Sequence, residues 1–243
     1  MLDLHCHIAY GLDDGAENLD MAVEMAVLAY ESGSEGIVAT PHCNIAGSYQ
    51  NYWGNNILER IKILRQAVSE IGVRIKIFCG QEIFCTPDVP DLLKSGRLIT
   101  LNNTRYPLVE FGFNEHSSYV YPMLEKLVSE GYTPVVAHPE RYLFVSEEID
   151  AAKRMKDIGC LLQINKGSIL KKFGSIPYFN SKNILSEGLA DIVASDAHSH
   201  FSRTPVLAEA YDYVSEFFAP DYSHLLFEKN PALILQNKAT LTY

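Results

Sequence analysis

One unit recurs along this chain: an amphipathic helical stretch, a glycine, a short apolar strand, then a histidine or a carboxylate. Leu19, Ala22, Val23, Ala26 and Tyr30 keep helical spacing and lead through Gly33 into GIVAT. Ile57, Ile61, Leu64, Val68 and Ile71 do the same and lead through Gly72 into VRIKIFC. The ending returns at Gly131, Gly159 and Gly188, where glycine supplies the left-handed residue that stops a helix. Short, largely apolar strands alternating with helices predict parallel βα units. The strands fall near 2–7, 36–40, 73–79, 106–111, 134–138, 161–165 and 191–195. The helices fall near 18–32, 56–71, 117–130, 147–158, 181–187 and 205–218, with a helical tail near 222–238. Without a Pro/Ser-rich linker, a low-complexity tract or a charge block, residues 1–243 read as a single α/β domain with a parallel barrel.

In such a barrel the C-terminal ends of the strands open onto one face, so residues distant in sequence converge there. That is where the metal-capable side chains fall: His5 and His7 in LDLHCH, His42 in IVATPH, Glu82 in FCGQE, Glu110 in PLVEF, His138 in PVVAHPER, and Asp196 with His198 in DIVASDAH. Asp14, in the turn LDDGA, completes the set. His5 and His7 are two apart on a strand and project to the same side. Glycine after Asp13-Asp14 suits a tight turn aiming a carboxylate over the barrel mouth, although such acids also occur in ordinary polar turns or at helix N-termini. His42 follows Thr-Pro and His138 precedes proline, which predicts extended backbone holding each ring at the rim. Either histidine alone would read as packing. Glu82 and Glu110 interrupt or end apolar runs, and a buried carboxylate needs a cation, a metal or a basic side chain. Nitrogen and oxygen donors without a placed thiolate favour Mn²⁺, Fe²⁺ or Zn²⁺. At roughly three ligands per ion the set holds two or three ions, the pattern of a multinuclear metallohydrolase.

Charge selects what such a pocket would bind. Four carboxylates against three divalent ions leave about +2, and Arg141 and Arg203 would raise that to about +4. Arginine grips a phosphoryl group bidentately, although either could be a plain surface arginine. The chain itself carries a net charge of −10, which argues against nucleic acid as a main partner. No stretch approaches the roughly 20 apolar residues of a membrane span, and the first strand starts at residue 2, so a cytoplasmic protein is expected. The five cysteines, Cys6, Cys43, Cys79, Cys85 and Cys160, are read as free structural thiols; none begins a Cys-x5-Arg loop. Tyr49, Tyr52 and Trp53 offer an aromatic wall or a packing lid. Asp3 is placed as support behind the histidines and Asn165 as a partner for water or phosphate, while His116, His200 and His224 lie outside the strand-end pattern.

At DLHCHI, LDDGA, IVATPH, GQEI, LNNTRYPLVEF, PVVAHPERY and ASDAH the chain resembles the polymerase-and-histidinol-phosphatase (PHP) superfamily, and within it the bacterial tyrosine phosphatases encoded with capsule and exopolysaccharide genes. The resemblance implies a distorted TIM-like (β/α)₇ barrel forming one PHP-type metallophosphatase domain with a trinuclear, Mn²⁺-preferring site. His5, His7, Glu82 and Asp196 would hold one ion; Glu82, Glu110 and His138 the second; Asp14, His42 and His198 the third. Arg141 and Arg203 match that family's phosphate-binding arginines and, with Glu110 and His42, make up the expected catalytic set. The implied reaction is phosphotyrosine hydrolysis by a metal-bridging hydroxide without a covalent phosphoenzyme. The implied partner is an autophosphorylated tyrosine kinase that controls capsular polysaccharide synthesis. The rival readings are a histidinol-phosphate phosphatase and a catalytically silent, metal-stabilised scaffold.

Overall fold

A computed structural model describes residues 1–148 and 150–243. Nine parallel strand segments run through it: β1 (Leu2–Cys6), β2 (Gly36–Ala39), β3 (His42–Cys43), β4 (Lys76–Cys79), β5 (Glu82–Phe84), β6 (Leu108–Glu110), β7 (Val135–Ala137), β8 (Leu161–Asn165) and β9 (Ile192–Ala194). They form two ladders, β1-β2-β4 and β3-β5-β6-β7-β8-β9. Two of the seven expected strands are therefore broken. The 36–40 strand resumes as β3 after Pro41, which has no N–H to give a ladder. The 73–79 strand begins late, at Lys76, and resumes as β5 beyond Gly80-Gln81. Each break changes ladder but not direction: β2 pairs with β4, and β3 with β5. β1 also meets the backbone beyond β9, where Asp196 N–H donates to His5 C=O at 2.8 Å and His7 N–H to Ala197 C=O at 2.9 Å.

Helices α1 (Leu19–Glu31), α2 (Asn55–Glu70), α3 (Val89–Lys94), α4 (Ser117–Ser129), α5 (Leu143–Glu147), α6 (Ala151–Ile158), α7 (Lys166–Ile169), α8 (Ser175–Ser186), α9 (Ala208–Phe217), α10 (Pro220–His224) and α11 (Asn230–Leu235) accompany the strands. α2 buries Ile57, Ile61, Leu64 and Val68, each contributing roughly 1.5–3 kcal/mol of apolar burial. On α1 the buried stripe is Ala22, Met25, Ala26 and Ala29, and Tyr30 faces solvent. Gly159, at φ +106, ends α6 in the left-handed region. The helix expected at 147–158 is realised as α6 from Ala151, α5 ends where that range begins, and Ile149 lies outside the described residues. α3 and α7 went unanticipated because six and four residues are too few to show a helical period. A π-helical stretch, Leu225–Lys229, joins α10 to α11, making the tail continuous.

Candidate metal centre

All nine candidate residues sit at one end of the strands. His5 lies in β1 and His7 just past it; His42 is in β3, Glu82 opens β5, Glu110 ends β6, and His138, Asp196 and His198 follow β7 and β9. Asp14 comes from the turn after β1. A Cβ on Gly15 would collide with the His7 backbone and Cβ, so this turn can close against β1 only through glycine. His138, Asp196 and Arg203 have φ of +36°, +50° and +33°. Left-handed backbone at non-glycine residues costs on the order of 1–3 kcal/mol each and gathers where side chains must be aimed. His138 thus departs from the extended form expected before proline. Its turn is tied down by Glu140, whose buried carboxylate accepts from Asn165 N–H at 3.0 Å and Ser168 Oγ at 2.7 Å.

The innermost group is His5, His7, Glu82 and Asp196, with ligand atoms all within 4.8 Å of one another. His5 Nε2 and His7 Nε2 are 3.2 Å apart, each is 3.1 Å from Glu82 Oε2, and they lie 3.6 and 3.5 Å from Asp196 Oδ1. A tetrahedral cage with ligands near 2.1 Å from its ion has edges of about 3.4 Å. The proton positions agree with that fit. Asp196 Oδ2 can only accept, so Asn165 donates to it through Nδ2 at 2.6 Å. Asn165 Oδ1 then accepts from Gln163 Nε2, and Gln163 Oε1 from His5 Nδ1, each at 2.8 Å. His7 Nδ1 likewise donates to Asp13 Oδ2 at 2.7 Å. Both imidazoles therefore keep their protons on Nδ1 and turn Nε2 lone pairs toward two carboxylate oxygens. Four lone-pair donors around one point call for a cation, and the outer carboxylate and amides are the usual means of orienting such ligands.

A second group, His7, Asp14, His42 and His198, lies nearer the surface, and a third comprises His42, Glu82 and Glu110. His42 Nε2 and His198 Nε2 are 3.6 and 3.5 Å from Asp14 Oδ1. His42 Nδ1 is 2.9 Å from Glu110 Oε1 and 3.0 Å from Glu82 Oε2. A neutral imidazole has a single lone pair, so His42 serves either the Asp14–His198 pair or the Glu82–Glu110 pair, and His7 cannot serve two ions through Nε2. His138 stands beside Glu82, with Nε2 2.8 Å from Oε1, and is not grouped with Glu110.

Without cations the acids and imidazoles perturb one another strongly. Burial pulls the His42 ring down, but the Glu82 and Glu110 carboxylates outweigh it and hold the ring at about 9. Burial disfavours the Glu82 anion, yet His5, His42 and His138 keep it well below the usual carboxylate range. Glu110 goes the other way, raised by burial and then by the Glu82 charge.

Above these donors opens a cavity of about 300 Å³, lined by all nine except the buried His5 and His7 and also by Arg141 and Arg203. Both arginines converge on Asp196 Oδ2, Arg141 Nη1 at 3.3 Å and Arg203 Nη2 at 2.7 Å. The Arg141 guanidinium lies over Phe113 at 4.3 Å and Phe173 at 4.8 Å. The aromatic wall is Phe84, Phe111 and Phe113. Tyr49 stacks on His42 with ring centroids 5.6 Å apart, Tyr52 bonds Asn44 and Trp53 packs on the α1–α2 core, and none of the three expected aromatics lines the cavity. Asn165 points at Asp196 rather than into the open pocket, and Asp3 Oδ1 ties β1 to the end of β9 by accepting from His5 and Ser195 N–H. His116, His200 and His224 pair with Ser118, Glu24 and Glu228. The five cysteines are free thiols. Asp13 and Gln163 were the positioning residues the sequence reading missed. Gln163 is legible in retrospect, since LLQIN places two amides on one face of an otherwise apolar strand.

The family model described as capsular polysaccharide synthesis, CpsB/CapC, matches residues 1–236. This chain belongs to that family. It is 32% identical over 246 residues to "Tyrosine-protein phosphatase CpsB" of Streptococcus agalactiae, covering 98% of this chain and 99% of that one. It is 33% identical over 238 residues to "Tyrosine-protein phosphatase YwqE" of Bacillus subtilis, covering 98% and 92%. A solved structure described among those of YwqE from Bacillus subtilis and CpsB from Streptococcus pneumoniae, "unique metal-dependent tyrosine phosphatases", superposes with a TM-score of 0.93 at 31% identity, covering 100% of this chain and 97% of that one. The CpsB/CapC chain described here thus shares its whole fold with relatives named for one chemistry.

Proposed function

We propose that this chain is a metal-dependent protein-tyrosine phosphatase, a phosphoric monoester hydrolase acting in capsular polysaccharide synthesis. One observation carries the reading: Arg141 and Arg203 meet on Asp196 at the mouth of a cavity floored by nitrogen and oxygen donors spaced for cations. Two ions, or three with His138 and Glu110 recruited, suit the donor set, with Mn²⁺ as the expected metal and Fe²⁺ or Zn²⁺ as substitutes. When bound, they supply Lewis acidity at the phosphoryl oxygens and a water-derived nucleophile at neutral pH. The arginines turn from Asp196 to the equatorial oxygens and neutralise charge developing there. Phe84 and Phe113 line the space where an aryl group would stand. Tyrosinate, with a free pKa near 10, leaves with little help. No thiol serves as nucleophile: Cys43, beside His42, is buried, and burial pushes it up to about 12.

On this reading the two ladders act together as one distorted TIM-like (β/α)₇ barrel, and residues 1–243 form one PHP-type metallophosphatase domain. Among the described residues no helix is long and apolar enough to cross a membrane. Five free thiols suit a reducing cytoplasm, where an autophosphorylated tyrosine kinase governing capsule synthesis is the proposed partner. The test is phosphate release by chelator-stripped protein, with and without Mn²⁺, from a phosphotyrosine peptide and from histidinol phosphate. Mn²⁺-dependent release from the peptide, with little from histidinol phosphate, is expected. The reverse preference would overturn the reading in favour of a histidinol-phosphate phosphatase, and silence on both with metal bound would favour the scaffold.

A further inference from the structure

Arg203 has two sides. One faces the metal pocket; the other lines a separate cavity of about 440 Å³ between the segment that follows β8 and the segment that follows β9. Phe173, under Arg203 at 5.7 Å and under Arg141 at 4.8 Å, lines that second cavity as well. The two spaces are therefore neighbours across a shared wall.

The second cavity runs against the charge of the molecule. The chain carries a net −10, yet Lys166, Lys172 and Arg203 line this space with Glu209 as its single carboxylate. Glu209 lies 4.0 Å from Lys172, where both are well exposed to solvent. Lys166 is 8% exposed, and its ammonium donates to Val206 C=O at 2.7 Å and Thr204 Oγ1 at 3.3 Å. An ammonium has three N–H groups, and these two bonds engage two of them. Burial lowers the Lys166 pKa to about 8, and the charges of Asp3 and Glu209 only partly oppose it. Phe201, 73% exposed, contributes an apolar part of the lining.

We infer that this cavity receives an acidic side chain, Asp or Glu, next to the phosphotyrosine in the substrate protein. The inference rests on the phosphatase reading and deepens it. A phosphoryl group held against Arg203 stands roughly 7 Å from its own Cα, and a Glu whose Cα is about 3.8 Å further along the chain can run its side chain, on the order of 5 Å long, back beside the ring toward the shared wall. A carboxylate there accepts the third Lys166 N–H and meets the outer face of Arg203, charge-assisted bonds stronger than those between neutral groups.

The experiment compares kcat/KM on Mn²⁺-loaded protein for phosphotyrosine peptides that differ only in carrying Glu, Gln or Lys on both sides of the phosphotyrosine. Free phosphotyrosine serves as a substrate without neighbours. About a tenfold preference for Glu over Gln, with Lys poorest, is expected. Lys166→Met and, independently, the surface variant Lys172→Glu should reduce that preference to threefold or less while leaving free phosphotyrosine turnover unchanged. Equal rates on the three peptides, or a preference surviving both variants, overturns the subsite and leaves the phosphatase intact. Absence of release from every phosphotyrosine substrate overturns the phosphatase reading itself.

Discussion

The inner and outer donor groups are built from the same residue types and behave as different materials. In the inner group the side chains of His5, His7, Glu82 and Asp196 are 0–2% exposed. Three hydrogen bonds connect His5 to Asp196 through Gln163 and Asn165, and Asp13 anchors His7. In the outer group the Asp14 side chain is 52% exposed and His42 15%, and the carboxylate nearest His198 Nε2 is the exposed Asp14 at 3.5 Å. The difference lies in who supplies the constraint. Protein hydrogen bonds hold the inner donors in place before any ion arrives, whereas solvent shares the outer carboxylate. An inner ion should therefore act as part of the fold and an outer one as an exchangeable participant next to the substrate.

Three measurements would sharpen or break that contrast. Removing the carboxylate shared by the inner and third groups, with Glu82→Gln, should lower kcat/KM on the order of 10³-fold and strip the protein of most of its metal by elemental analysis. Retention of a full complement would show that Glu82 is no ligand. Asp14→Asn should cost roughly 10²-fold in activity and one equivalent of metal with little change in Tm; simultaneous loss of all ions would erase the distinction between the groups. Gln163→Leu breaks the relay without touching a donor atom. Titration calorimetry should then show inner-site affinity about 10- to 100-fold weaker and outer-site affinity unchanged, and equal weakening of both would mean that the relay is ordinary packing.

The smallest effect concerns a buried cation outside both groups. The folded pKa of Lys166, about 8, lies below its ordinary 10.5, so the folded protein binds fewer protons than the unfolded chain between those values. Stability contributed by this residue rises with pH across that window, by roughly 1–3 kcal/mol. Lys166→Met should remove the rise, seen as a smaller gain in urea unfolding free energy between pH 8 and pH 10.5 than in the unsubstituted protein. An identical gain in both proteins would mean that Lys166 titrates normally.

Much of this was legible before any coordinates. The helix–glycine–strand period follows from apolar spacing, which local chain geometry reads directly, and α1, α2, α4 and α9 fall within a few residues of their expected bounds. The strand-end positions of the nine donors follow from the same period. The breaks at Pro41 and at Gly80-Gln81 were less accessible, because whether a strand pauses depends on the ladder beside it. The left-handed backbone at His138, Asp196 and Arg203 is invisible locally, since residues of those types favour φ below zero unless surrounding structure imposes otherwise.

Asp13 shows where the boundary lies. Its neighbours mark it as a turn acid, and only the closing of that turn over β1 and β3 makes it an acceptor for both the His7 ring and the His42 N–H. The pairing of Gln163 with His5, 158 residues away, has the same character. Residue type and spacing determine which side chains can hold a cation, because that is a property of the donor atom and of the 2.0 or 3.6 period. Proton positions, sharing of donors and the cavity behind Arg203 are settled by contacts across the fold, because each depends on a partner the local sequence does not contain.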